Sequence, residues 1–282
     1  MRRGANGGTL TLIANISDMQ TGSTKALFPN ENWHGIHQMH DPTEEQAKIY
    51  KHWIYCADIL KQRGNRKLII INSGDAIDGD HHGSHELITR IIHERVTIHE
   101  NLMLEFMERA NFSFQNGDKL IYIQGTEVHT GEEEIKIAAD LGAEISSHVE
   151  IKIDGNLLWF VHKGPRAGKG ANKGNSLRNN LRDIYWECLD YGEPIPDLIS
   201  YAHVHVPDYE TFEGRRKTIH GYINPSWQTK TRFINGVAPV ERTRIGMTTF
   251  QIIDGIIYKP YFHLLNMSSA KSVIMQETKQ GE

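Results

Sequence analysis

An α/β fold with a mostly β C-terminal part is predicted by two patterns. Over the first two-thirds of the chain, short apolar runs alternate with amphipathic helical stretches, and after that come alternating segments separated by turns. In addition, five apolar runs each end in a small cluster of Asp, His, Glu or Gln. They are TLTLIANI before Asp18 and Gln20, KLIIINSG before Asp75 and Asp78, LIYIQG before Glu127 and His129, LLWFV before His162, and DLISYA before His203 and His205. Buried strands read as short apolar runs bounded by turn residues, and ligands of α/β folds gather beyond the carboxyl ends of such strands. The five ends therefore predict one polar crevice.

In chain order, Asp41-Pro42 reads as a cap and first-turn pair. Glu44 and Glu45 suit the positive end of a helix, and Ala47, Tyr50, Ile54, Ala57 and Leu60 repeat at helical spacing until Gly64. A longer helix is expected from about His85 to Ala110, with Ile88, Ile91, Ile92, Ile98, Leu102 and Phe106 on its apolar side. A third covers Glu132 to Leu141 ahead of Gly142, and a fourth covers Ser176 to Tyr191 ahead of Gly192. Asp154-Gly155 between two alternating runs predicts a hairpin turn. The segments Tyr209 to Phe212, Lys217 to Ile223, Thr248 to Ile253 and Ile256 to Phe262 are expected to complete a second sheet. No repeat or composition break divides residues 1–282, so one domain is expected, with its core at about residues 9–263 and a polar, disordered tail from Ser268.

Composition narrows the function classes. At 282 residues, 39% hydrophobic and 23% charged, the chain can bury a large core, and a net charge of -4 excludes a uniformly basic nucleic-acid binder. Any contact with a polyanion must be local. Cys56 and Cys188 lie far apart in helical segments and read as two reduced, buried thiols. Arg2 and Arg3 precede only a brief apolar stretch broken by Asn15 and Asp18, which fails the signal-peptide pattern, and no apolar run approaches a membrane span. The chain is read as cytoplasmic, with no membrane partner and no indication of oligomeric state. With cysteine nearly absent, a metal in the crevice would take oxygen and imidazole donors, which suits manganese, magnesium, iron or zinc.

The ordered series Asp18-x-Gln20, Gly74-Asp75-x-x-Asp78-Gly79, Gly125-Thr126-Glu127, His162 and Ala202-His203-x-His205 resembles the calcineurin-like metallophosphoesterases in order, spacing and strand context, over roughly residues 9–210. Asn224-Pro225-Ser226 is similar to the turn that follows the last motif in several bacterial branches. Gly79-Asp80-His81-His82-Gly83, Gly125-Thr126-Glu127-x-His129 and Pro225-Ser226-Trp227-Gln228 resemble a branch common in phage and prophage genomes. The resemblance implies a four-layer αββα sandwich of two mixed sheets flanked by helices. It also implies a metal-dependent hydrolase of phosphoester bonds with two divalent ions, Mn2+ favoured over Mg2+, Fe2+ or Zn2+. Such a pair, roughly 3.5 to 4 Å apart, shares a hydroxide nucleophile and clamps the attacking and leaving oxygens.

By that resemblance Asp75 bridges the ions, Asp18, Gln20 and His205 complete the first, and His162 and His203 belong to the second. Asp78 orients the imidazoles and, with His129, makes up the catalytic pair. Two departures stand out. Gln20 occupies a place usually held by His, which weakens the first metal site and favours hard cations. Thr126 occupies the place of an Asn ligand, which shifts ligand duty to Glu127 and the acid role to His129. Taken singly, His162 would be an ordinary structural histidine. The groups His34, His37, His40 and His81, His82, His85 read first as solvated loops.

Directly after His162, the stretch from Lys163 to Arg182 carries Arg166, Lys169, Lys173 and Arg178 among glycines, with no acidic residue. Such a segment can lay cations and backbone amides along phosphates. A nuclease-like phosphodiesterase is therefore the first expectation. A phosphomonoesterase of protein or nucleotide comes second, and a catalytically degenerate metal-binding protein third.

Overall fold

The computed structural model describes residues 10–36, 39–79, 86–127, 129–166, 172–232 and 243–266. In chain order they form β1 (Thr11–Ile16), β2 (Trp33–His34), β3 (Met39–His40), α1 (Glu44–Lys61), β4 (Lys67–Asn72), α2 (Ile92–Arg109), β5 (Lys119–Ile123), α3 (Glu133–Asp140) and β6 (Glu144–Ser146). There follow β7 (His148–Ile153), β8 (Asn156–Val161), α4 (Asn175–Tyr191), β9 (Leu198–Tyr201), β10 (Asp208–Glu213), β11 (Thr218–Ile223), β12 (Gly246–Ile253), β13 (Ile256–Ile257) and β14 (Tyr261–Leu264).

Two mixed sheets face one another. The first runs β13-β12-β1-β4-β5-β6 with β14 also on β12; β1, β4, β5 and β6 are parallel, and β12 is antiparallel to β1. The second runs β10-β11-β9-β8-β7, with β8, β9 and β11 parallel at its centre. Strand alternation sorts the side chains into layers. Leu12, Leu68, Ile70 and Leu120 pack with Trp53, Phe106 and Ile137 of the helices α1, α2 and α3. Ile13, Ile69, Ile71 and Ile121 point the other way and meet Leu158, Phe160, Leu198 and Tyr222 of the second sheet. On the outer face of that sheet, Ile199, Tyr201, Ile219 and Ile223 pack on Leu177, Leu181 and Tyr185 of α4. The order of layers is helix, sheet, sheet, helix.

The parallel strands of both sheets deliver their C-terminal ends to one end of the sandwich. A polar cluster pins the sheets together beneath it: Asn15 Nδ2 donates to Ser200 Oγ at 2.8 Å, Ser73 Oγ donates to Asn15 Oδ1 at 2.8 Å, and Asn224 Nδ2 donates to Ser200 Oγ at 3.1 Å. Buried polar groups satisfied in this way fix one register of sheet on sheet.

Several expectations need correction. The cap of α1 is Thr43, one residue beyond the Asp41-Pro42 pair: Thr43 and Gln46 form a capping box, and Glu44 and Glu45 fill the first turn. The described helix α2 begins at Ile92 instead of about His85. Before it, Ile88 N donates to Gly22 O and Thr24 N donates to Glu86 O, so pairing with the loop after β1 overrides the helical spacing of the isoleucines. The expected Ile256 to Phe262 strand is split at Pro260, which has no amide to donate. Only β10 and β11 of the C-terminal segments join the second sheet. The strands β12, β13 and β14 return to the first, where β12 covers the open edge of β1 and lends Phe250 and Ile252 to the layer between the sheets. The Asp154-Gly155 hairpin stands between β7 and β8, and both cysteines are free and buried. No described helix is long and apolar enough to cross a membrane. The tail from Ser268 lies outside the described residues.

Candidate metal centre

Beyond the sheet, the loops after β1 and β4 continue the parallel pairing of their strands. Asp18 N donates to Gly74 O at 2.9 Å, Gln20 N to Asp75 O at 2.9 Å, and Asp78 N to Thr21 O at 3.0 Å. The chain turns sharply at the residues that carry the polar side chains. Asp18, Gln20, Asp75, His203 and His205 all have φ between 42° and 68°, and they are five of the eight described non-glycine residues with positive φ. This left-handed conformation costs about 1–3 kcal/mol per residue and persists where the surroundings overdetermine it, characteristically at functional sites. Two glycines allow the loops to meet. A side chain on Gly74 would reach His162 Nδ1 at 2.6 Å, and one on Gly125 would collide with the backbone and carboxylate of Asp75.

The result is a compact group. Asp18, Asp75, His162 and His203 each offer one donor atom, and these atoms lie within 4.8 Å of one another. His162 Nε2 stands 3.3 Å and His203 Nδ1 3.9 Å from Asp75 Oδ2, and His205 Nε2 stands 3.2 Å from Asp18 Oδ1. The protein fixes the other faces of these groups. Ser73 O lies 2.7 Å from His162 Nδ1, which holds a ring proton there and turns Nε2 inward toward Asp75. Thr126 donates its amide and its hydroxyl to Asp75 Oδ1 at 2.7 and 3.0 Å, leaving Oδ2 to face the imidazoles. His203 N donates to Asp18 Oδ2 at 3.1 Å, and Trp227 N donates to Asp18 O at 3.0 Å. Trp227 is buried edge-on against Trp53 of α1, their centroids 4.8 Å apart, so the helix layer braces this loop.

A divalent cation fits these residues. Asp18 Oδ1, Gln20 Oε1, Asp75 Oδ2 and His162 Nε2 are buried without a hydrogen-bond partner, a costly state that coordination would relieve. The donors are carboxylate, imidazole and amide oxygen, and no thiolate is among them. Electrostatics agree. Burial pushes the Asp75 carboxyl up, but the nearby imidazoles of His162, His203 and His129 hold it well below the usual carboxylate range. Burial raises Asp18 as well, and His205 and His162 outweigh it, so its pKa is lowered. Burial lowers His162, yet Asp75 and Asp18 lift its imidazole to about 9. The site therefore keeps two carboxylates ionised and draws positive charge toward them.

The remaining candidates divide. Gln20 is buried beside the group, its backbone amide donating to Asp75 O. His129 stands at the rim, Nδ1 3.2 Å from Asp78 Oδ1 and Nε2 4.0 Å from Asp75 Oδ2. Burial lowers His129, while the Asp78 bond and the charges of Asp75, Asp78 and Asp18 raise it on balance. Asp78 is buried, and its carbonyl accepts from Arg95. Glu127 is exposed and outside the group of four, so the structure does not bring it to the ligand role expected of it; Thr126, its neighbour, is bonded to Asp75. His203 is 44% exposed at the side chain and borders the mouth. Arg166 and Lys173 are exposed; Arg178 is paired with Glu210 at 2.6 Å. Lys169, His37, His81, His82 and His85 lie outside the described residues. His34 is exposed, and His40 contacts Gln46 Oε1 at 2.8 Å, away from the centre.

Sequence reasoning missed Glu134. Buried in the first turn of α3, it accepts from Ala76 N at 2.9 Å and from Gly125 N at 2.6 Å. Burial raises its carboxyl to about 7 against the lowering effect of those two bonds. In the sequence it is one of three consecutive glutamates at a helix start, a pattern indistinguishable from a solvated first turn. Asn15 and Ser200 did leave a signal, as polar residues inside otherwise apolar strands.

Neither a family model nor a curated protein matches the chain. Solved structures give distant likenesses. One is a conserved uncharacterized protein of Streptococcus pneumoniae described as a predicted phosphoesterase, at 11% identity and a TM-score of 0.37, covering 90% of this chain and 88% of that one. Another is a Thermotoga maritima protein at 12% identity and 0.38, covering 90% and 98%. A third is the sulfate thiohydrolase SoxB of Thermus thermophilus at 8% identity and 0.40, covering 94% of this chain and 58% of that one. Likeness of this degree carries no argument about activity, which rests on the site itself.

Proposed function

We propose that the protein is a metal-dependent phosphoesterase that acts first on phosphodiesters. The observation that carries this reading is the convergence of Asp18, Asp75, His162 and His203 at the strand ends of two sheets, the first three with unpartnered buried donor atoms. The motif series that resembles the calcineurin-like metallophosphoesterases, and within them a phage and prophage branch, supports it. Asp18, Asp75, His162 and His203 would hold one divalent cation, and Gln20 and His205 would supply donors for a second. The neutral amide of Gln20 favours an oxygen-seeking ion such as Mn2+. When bound, such cations act as Lewis acids on a phosphoryl oxygen and acidify water.

The chain's own groups supply the rest. Thr126 orients Asp75, Ser73 fixes the tautomer of His162, and Asp78 holds the His129 ring. His129, at the rim and with its pKa raised, is placed to give a proton to the leaving oxygen. His203 stands at the mouth, where a phosphate would enter. Arg166 and Lys173 would contact a polyanion along the segment after His162. The pairing of Arg178 with Glu210 takes one cation from that segment, which favours the second reading, a phosphomonoesterase.

Hydrolysis of bis-p-nitrophenyl phosphate and p-nitrophenyl phosphate with added Mn2+ separates the readings. Faster turnover of the diester is expected. Faster turnover of the monoester would favour the second reading, and metal binding without either reaction would leave a non-catalytic metal protein.

A further inference from the structure

Glu134 belongs to neither the donor group nor the rim, yet it is a carboxylate 1% exposed, with both oxygens committed. Oε1 accepts from Ala76 N at 2.9 Å, the residue after Asp75, and Oε2 accepts from Gly125 N at 2.6 Å, the residue before Thr126. The two loops it joins are the ones that touch at Gly125 and Asp75, and Thr126 closes the same junction from the other side by donating twice to Asp75 Oδ1. A third element reaches this point: His99 of α2 lies with Nδ1 3.1 Å from Ala76 O. A carboxylate can take two donors side by side, and in its ionised form such bonds are about twice as strong as neutral ones. No other side-chain type of that length offers two acceptors and no donor.

Resting on the metal-dependent reading above, we infer that Glu134 is a positioning residue. It clamps the loop after β4 to the loop after β5, so that Thr126 occupies Asp75 Oδ1 and Oδ2 stays directed at the cation. Glu134→Gln keeps the shape but sets an NH2 group against one of the two amides, leaving at most one bond intact.

The test compares Mn2+ affinity by calorimetry with amide hydrogen exchange at Ala76 and Gly125, in the full chain. For E134Q a loss of Mn2+ affinity of tenfold or more is expected, together with faster exchange at both amides. Ile137→Val loosens the buried side of the same helix without touching either loop, and it should bind Mn2+ like the parent. That control separates positioning from mere stability. Should E134Q fail to fold, E134D, which keeps the charge but shortens the reach, carries the same comparison. If E134Q binds Mn2+ as tightly as the parent, or I137V weakens binding as much as E134Q does, the positioning role is wrong and the phosphoesterase reading stands. If the parent itself binds no Mn2+, that reading falls and takes this inference with it.

Discussion

Asp75 has its two carboxylate oxygens in different employment: Oδ1 takes both donors of Thr126, and Oδ2 faces His162, His203 and His129. Asp75→Asn removes the charge while keeping the shape. We expect it to abolish phosphoester hydrolysis and Mn2+ binding with the circular dichroism of the parent retained. His129→Ala should behave differently, lowering turnover by roughly a hundred-fold or more, the scale of a lost general acid, while Mn2+ affinity changes little. Unchanged turnover in H129A would remove His129 from the chemistry. Among single residues the sequence was legible where a polar residue ends an apolar run, as at Asp18, Asp75, His162 and His203. It was not legible where the role depends on a partner distant in sequence. Nothing around Thr126 says that its hydroxyl serves Asp75 instead of a metal, and nothing around Glu134 distinguishes it from its solvated neighbours.

Among the elements, helix α2 braces the site from below through His99, buried between Ala76 O and the hydroxyl of Tyr122 at 3.1 and 2.8 Å. Burial lowers this imidazole to about 3, despite the Ala76 bond, which raises it. An unfolded histidine titrates near 6.5. Between those values the folded protein binds fewer protons than the unfolded chain, so the contribution of His99 is fully present above about pH 6.5. It is lost as pH falls toward 3, at up to about 1.4 kcal/mol per pH unit. His99→Gln should remove that part, so that urea unfolding of the variant depends on pH less steeply than the parent between about pH 6 and 3. Equal slopes would mean that His99 titrates normally. The strands leading to the site were legible because each is a short apolar run ending in turn residues. The start of α2 was not, because the amide of Ile88 is taken by Gly22 from another loop, which no local period reveals. The break at Pro260 follows from its missing amide, a local signal masked by the β-formers that flank it.

For the whole molecule, function depends on two sheets presenting their strand ends at one edge. The α/β character was legible from alternation of runs and helices. The return of β12 to the first sheet was not, since that pairing joins residues more than two hundred positions apart and depends on the free edge of β1. The basic segment after His162 bears on substrate size. Replacing Arg166 and Lys173 by Ala should weaken oligonucleotide binding and lower its salt slope by about one unit for each phosphate no longer neutralised. Hydrolysis of a small chromogenic diester should stay the same. Arg178→Ala alone should have a smaller effect, because Glu210 already engages that guanidinium. The same affinity and slope in the double variant would exclude the segment as a nucleic-acid contact.

Whether Asp18, Asp75, His162 and His203 together bind a divalent cation decides everything built on them, and anomalous scattering from Mn2+-soaked crystals answers it. A manganese peak is expected about 2 Å from Asp75 Oδ2 and His162 Nε2, with Asp18 and His203 completing its ligands. Crystals saturated with Mn2+ that show no peak at this group, or show the metal bound elsewhere, would refute a metal centre here.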